Sequence, residues 1–406
     1  MTSPTRDVKR IVASPRFLTA VAVLRNQHNQ LIGEIITLTE IPSPPFKEER
    51  RARAYEALFR DLDLEDVECD AVGNVTGVRR GRGNGDLLVV AAHLDTVFPE
   101  GTDCTVRREG SRLYAPGVGD DTRGLAALLA FIRALNAAKI QTDQDLLFVG
   151  DVGEEGAGNL RGIRHLFSAS AYRTRISGFF TIDGLEAERL TIAAVGSYRY
   201  RVTFRGPGGH SLSAFGTVNP AHAMAAVVLG LSRTEVPRSP KTSYCAAVFG
   251  GGSSVNAIPE EVWVEFDLRS EDQIELDRLD VSLTRLIEDA VTEENQRGDT
   301  DGGRISAEVS RIGNRPAGRT DPNEQIVRAS VEAVTAFGFT PNTESSSTDA
   351  NIPMSLGVPA IRFGSGGTGG RGHSLDEWID VEEELSVRGL SAGLAAILGT
   401  AGMYLD

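Results

Sequence analysis

Two of the six histidines in this chain stand where metal chemistry is possible. His93 closes the apolar run LLVVAAH, and Asp95 follows it two residues later. On a strand, positions i and i+2 share a face. A metal-bound imidazole hands its second N–H to an oxygen acceptor, so Asp95 is placed to orient His93. An HxD pair alone favours a capped strand end with a salt bridge. Asp120 and Asp121 stand in GVGDDTRG, just before an apolar helical pattern. Acidic residues suit a helix N-terminus, which explains one aspartate more easily than two. Glu154 and Glu155 stand in VGDVGEEGAG, after another apolar run. On a strand they would face opposite ways, and on a helix both would be solvated. In a glycine loop both can be aimed inward. Asp183 closes FFTIDG, and His373 lies in GGRGHSLDEW. A mononuclear zinc site needs three protein ligands. This set is larger, and its nitrogen and oxygen donors suit two zinc ions about 3.5–4 Å apart, bridged by a carboxylate.

These residues need strands that end together. Leu87–Asp95, DLLFVGDVGEEG and GFFTIDG are continuous apolar runs, as expected of strands buried on both faces. Helical spacing of Leu125, Leu128, Leu129, Ile132 and Leu135 places a helix between the first two. Residues 16–40 have helical periodicity, and Lys47 to Leu62 reads as a charged amphipathic helix. The expectation is an α/β domain, with a mostly parallel sheet and helices on both faces. Ligands bind at the carboxyl ends of such strands. From about Ser197 the texture changes. YRYRVTFRG alternates, a helix begins near Pro220, two strands and a long charged helix follow, and RISAEVSRI is a last strand. This βαββαβ order forms an α+β module inserted into the first domain. The expected divisions are residues 1–196 and 315–406 for the catalytic domain and 197–314 for the insert, with GNRPAGRTDPNE as the return linker.

A formal net charge of −14 disfavours nucleic acid, whose phosphates need a basic surface, and disfavours an anionic membrane surface. Cys69, Cys104 and Cys245 are scattered and form no CxxC pair, so the thiols read as reduced. The stretch IVASPRFLTAVAVL faintly resembles a signal peptide, but Pro15 and Arg16 interrupt it and no small-residue cleavage site follows. No run approaches the roughly 20 apolar residues of a membrane span. A cytoplasmic location is expected. GxxxxGK[ST] and GxSxG are both missing, which disfavours a nucleotide loop and a serine-hydrolase elbow. His28, His165 and His222 read as structural or surface residues.

In combination and order, these motifs resemble the co-catalytic di-zinc exopeptidases and deacylases. That family includes tripeptidase T, glutamate carboxypeptidase, aminoacylase, and the acetylornithine and succinyl-diaminopimelate deacylases. The resemblance runs through nearly the whole chain. It implies that His93 and Asp183 bind one zinc, that Glu155 and His373 bind the other, and that Asp120 bridges them. Cobalt or manganese could substitute. It further implies that Glu154 is the general base, that Asp95 supports His93, and that the Asp120–Asp121 peptide is cis. GPGGHSLSAFGTVNP resembles the family's lid motif, making His210 the residue that stabilises the reacting carbonyl oxygen. NAIP and FDLRS match lid positions that hold substrate, namely Asn256 and Arg269. A turn before Ile258-Pro259 and a strand-end salt bridge are the plainer readings of those two. Where relatives often carry lysine two residues after the bridging aspartate, this chain has Thr122, with Arg123 beside it. SSSTDANIP resembles a stretch near the family's active site, without a defined role for Asp349 or Asn351. Aspartate at the Asp183 position accompanies aminopeptidases and dipeptidases more often than deacylases, and FTIDG looks most like the tripeptidase T branch. The resemblance therefore implies an exopeptidase acting on short peptides, with an N-acyl amino-acid amidohydrolase or a carboxypeptidase as the alternative. It also implies a homodimer formed through the insert.

Overall fold

The computed structural model describes residues 3–83 and 85–406. The chain divides into two units, one running up to Ala194 and again from Arg319, the other Val195–Gly318.

In the first unit the main sheet runs in the order Glu65–Cys69, Val75–Arg79, Asp145–Asp151, Leu87–His93, Ile176–Ile182, Ala360–Phe363 and Arg189–Ala194. The four strands from Asp145–Asp151 to Ala360–Phe363 are parallel neighbours. The Glu65–Cys69, Val75–Arg79 and Arg189–Ala194 strands join antiparallel, and Asn342–Ser346 pairs parallel with Arg189–Ala194. Burial on both faces explains the unbroken apolar runs. Leu88, Val90 and Ala92 join one core cluster with the helices Pro15–Asn26, His28–Thr39, Thr122–Ala137, Gln325–Ala336 and Glu383–Ala401. Leu87, Val89 and Ala91 join another with Ile163 and Leu166 of the helix Arg161–Ser168. Side chains alternate across a strand, so one heptapeptide serves both layers. The parallel strands end side by side, which brings His93, the loop after Asp151, and Asp183 to one edge. A smaller sheet orders Thr368–Gly370, Trp378–Asp380, Arg112–Tyr114 and Arg107–Glu109.

Several elements differ from expectation. The helical stretch 16–40 is two helices, Pro15–Asn26 and His28–Thr39, interrupted at Gln27. The charged helix is Glu49–Asp61. The signal-like stretch contributes to the core: Ile11, Phe17 and Ala20 are buried in one cluster with the Glu383–Ala401 helix. Glu65–Cys69, Val75–Arg79, Arg189–Ala194 and Asn342–Ser346 carried no clear strand signal, because their pairing is set by sheet neighbours and not by a long apolar run.

The second unit contains the strands Gly196–Arg205, Thr242–Gly251, Glu261–Ser270 and Ser306–Arg315, with the helices Pro220–Ser232 and Gln273–Arg297. Sheet order is Thr242–Gly251, Glu261–Ser270, Gly196–Arg205, Ser306–Arg315, antiparallel throughout. Tyr200, Val202 and Phe204 pack with Val264, Phe266 and the two helices. The opposite face carries cross-strand ion pairs, Arg199 with Asp267 and Arg201 with Glu265. The last strand continues to Arg315, inside the expected linker, because Ser197 pairs with Arg315 and offers it a partner. The unit accordingly begins two residues before position 197 and ends four after 314. Among the described residues, no helix is long and apolar enough to cross a membrane.

Candidate active site

His93 is buried at the strand end, with Nε2 2.9 Å from Oδ1 of Asp120 and Nδ1 2.9 Å from the main-chain oxygen of Asp95. A carbonyl oxygen only accepts, so Nδ1 carries a proton and Nε2 faces Asp120. The Asp95 carboxylate is further from the ring, 3.7 Å from Nδ1. Its own work differs from the expectation. Oδ1 accepts the N–H of Glu154 at 3.0 Å and Oδ2 accepts that of Glu155 at 2.9 Å. Asp95 thus orients His93 through its backbone and the glutamate loop through its side chain. That loop turns sharply at Gly153, whose φ of +72° suits glycine. Both glutamates are buried.

The two aspartates divide their roles. Asp121 caps the helix Thr122–Ala137 by accepting the Gly124 N–H at 3.2 Å, and also accepts the His93 N–H at 3.2 Å. Asp120 lies between two imidazoles: Oδ1 faces His93, and Oδ2 is 3.0 Å from Nε2 of His373. The peptide between them is cis. Thr122, where relatives often have lysine, donates its hydroxyl to the Gly117 carbonyl at 2.7 Å, and the buried Arg123 donates to the Gly366 carbonyl and to Ser386.

His373 takes a left-handed φ of 62°, which histidine adopts more readily than most residues. It is also 2.8 Å from Oε1 of Glu155. Asp183 follows the strand Ile176–Ile182 and donates its N–H to the Phe363 carbonyl at 3.1 Å. Arg362, which sequence reading did not single out, stands 3.9 Å from its carboxylate and 3.5 Å from Glu344. Among the described residues, the ligand-type atoms fall into three groups, each within 4.8 Å: His93, Asp120 and Asp183; Asp120, Glu155 and His373; and His93, Glu154 and Glu155. Asp120 is common to the first two.

Charge balance in this cluster fits cations. Burial alone would lower the His93 pKa, but the Asp120 hydrogen bond and the charges of Asp121, Asp120 and Asp95 raise it well above its usual value. Hydrogen bonds to Asp120 and Glu155 push His373 up to about 11. Despite burial, the two histidines hold Asp120 below the usual carboxylate range. Protons on the imidazoles thus neutralise a carboxylate-rich pocket, a task that bound metal ions perform by displacing them.

Three further acids belong to the site. Asp151 and Asp349 are wholly buried, and none of their four carboxyl oxygens has a hydrogen-bond partner among the described residues. Burial first, with the neighbouring acids, raises Asp151 to about 7 and Asp349 well above its ordinary value, so the pair retains a proton. Neither was assigned a role from sequence. Glu377 was missed too, although an acid four residues after His373 is a usable signal. Its carboxylate accepts N–H groups from Gly117, Gly119 and Asp120.

In the second unit, His210 is exposed on the short strand Gly209–His210, paired with Ala257–Ile258. Its Nδ1 accepts N–H groups from Leu212 at 3.2 Å and Ser213 at 3.4 Å. The neutral ring therefore carries its proton on Nε2, as an outward donor. Asn256 accepts the Ser211 N–H on its main-chain oxygen at 2.9 Å, which brings it beside His210. Arg269 pairs with Asp267 at 2.7 Å, the strand-end salt bridge that was its plainer reading.

Peptidase family M20/M25/M40 matches residues 89–397. The chain belongs to that family. This M20 member is a hydrolase acting on peptide or amide bonds. It is 25% identical over 376 residues to succinyl-diaminopimelate desuccinylase of Corynebacterium glutamicum, covering 87% of this chain and 94% of the relative. The M20 fold also superposes on the aminopeptidase PepT of Bacillus cereus, with TM-score 0.75, 21% identity, and coverage of 92% and 99% of the two chains. The dipeptidase Dug1p of Saccharomyces cerevisiae gives TM-score 0.74 at 14% identity, covering 95% and 98%.

Proposed function

We propose that this M20 hydrolase is a two-zinc exopeptidase that releases N-terminal residues from short peptides. The observation that carries it is the Asp120 carboxylate, one oxygen toward His93 and the other toward His373, each histidine grouped with a further acid, Asp183 or Glu155. His93, Asp120 and Asp183 would hold one ion, and Asp120, Glu155 and His373 the other. The ions, when bound, acidify a water and polarise the scissile carbonyl. Glu154 takes the proton of the attacking water and delivers it to the leaving amine. Nε2–H of His210 donates to the developing oxyanion, and Asn256 and Arg269 bind substrate. Aspartate at position 183 and the likeness to an aminopeptidase favour free-amine peptides.

The second reading is an N-acyl amino-acid amidohydrolase with the same chemistry. The desuccinylase relative favours it. Product analysis with di- and tripeptides beside N-acetyl and N-succinyl amino acids separates the two. Release of N-terminal residues supports the first, and cleavage of acyl substrates alone replaces it with the second. Chelation should abolish either activity, and zinc, cobalt or manganese should restore it.

The insert is proposed as the dimer interface. Thr242–Gly251 is an edge of its sheet, and Val248, Phe249 and Leu229 are exposed apolar side chains on that strand and on the helix Pro220–Ser232. An exposed edge strand is a template for pairing with a second copy.

A further inference from the structure

Glu377 closes a circuit around the Asp120 turn. Its N–H donates to the Ser374 carbonyl at 3.1 Å, which puts it on one turn with His373, and its carbonyl accepts the Ala115 N–H at 3.1 Å. That second bond extends the pairing of Trp378–Asp380 with Arg112–Tyr114. The backbone is therefore fixed from both sides, and the side chain reaches the next turn. Oε2 accepts the Gly117 N–H at 2.8 Å; Oε1 accepts the Gly119 N–H at 2.8 Å and the Asp120 N–H at 2.9 Å. The approach is close enough that a Cβ on Gly119 would lie 3.0 Å from Oε1. Glu377 is buried and is absent from the three ligand-type groups among the described residues. A buried carboxylate aimed at backbone donors is satisfied without a metal.

We propose that Glu377 is a positioning residue for the bridging carboxylate, which it locks to the loop carrying His373. This rests on the two-metal reading of Asp120. The bonds from Glu377 set the direction in which Asp120 leaves the backbone, and the Ser374 turn sets it relative to His373. One carboxylate thereby holds the bridge and the second-site histidine in fixed relation before any ion arrives. Partners that support ligands typically change metal affinity or activity 10–100-fold when removed.

Glu377→Gln is nearly isosteric but turns one acceptor into a donor facing an N–H, and Glu377→Asp keeps the charge but is one methylene too short. Metal dissociation constants should be measured by competition with a chelator, alongside kcat, KM and the unfolding midpoint of the metal-free protein. The expected result for folded Glu377→Gln is a 10–100-fold weaker second metal, a matching loss of kcat at saturating substrate in limiting metal, and KM within about threefold. Glu377→Asp should show the same pattern and serves if the glutamine variant does not fold. A lowered midpoint with metal affinities and kcat unchanged makes Glu377 merely structural and overturns the proposal, while leaving the two-metal reading intact. A wild-type protein that itself saturates at one metal overturns both.

Discussion

The side chain of Asp95 accepts the backbone N–H of Glu154 at 3.0 Å and, through its other oxygen, that of Glu155 at 2.9 Å. One carboxylate therefore sets where two others point. Asp95→Asn leaves the size unchanged but presents an N–H donor to an N–H donor. Turnover should fall about 10–100-fold, the range for residues that support metal ligands, while the protein stays folded. Steady-state kinetics with a thermal melt checks this. Unchanged kcat would mean the loop holds its shape without Asp95.

Glu154 and Glu155 should separate cleanly. Glu154→Gln should cut turnover roughly 10²–10⁴-fold, the range for loss of general acid–base catalysis, with close to two metals per chain retained. Glu155→Gln should lose metal from the site it shares with His373. Elemental analysis beside kinetics decides this. Equal metal loss in both variants would refute the division of labour.

The lid histidine is expected to act on the partner's active site. Glu154→Ala and His210→Ala homodimers should each be nearly inactive. After subunit exchange at equal amounts, half the dimers are mixed. Each mixed dimer has one site with both groups intact, so activity should return to about a quarter of wild type by two-fold symmetry. Mass labelling verifies the exchange. Confirmed exchange without recovery would place His210 in its own subunit's site or outside catalysis.

The Asp151–Asp349 pair predicts a pH dependence of the metal-free protein. Both carboxyls have raised folded-state pKa values, Asp151 about 7 against an ordinary 3.8. A raised acid stabilises fully below its unfolded pKa and loses that contribution as pH rises through the folded value. Stability should therefore decline from about pH 4 through 7 and beyond. Asp349→Asn keeps the size of the side chain and removes one titration, so its urea midpoint should decline less than wild type between pH 5 and 8. Parallel curves would show that the pair does not hold a proton.

Sequence alone carried the α/β class, the inserted βαββαβ unit and which histidines and acids lie together. The physical reason is local. A strand buried on both faces is an unbroken apolar run, and the residue that ends it is visible beside it, as with His93 and Asp183. Residue type alone did not divide Asp120 from Asp121, because both suit a helix start; the family resemblance pointed to Asp120 as the bridge, and in the structure the cap to Gly124 and the two imidazoles tell the pair apart. Glu377 meets Asp120 across 257 residues, and the charge of Asp151 acts on Asp349, with no periodic pattern to announce either. Such contacts depend on how loops from separate strands and the smaller sheet converge. Long-range packing decides that convergence, so the bonds from the Gly117–Asp120 turn to Glu377 exist only in the folded chain.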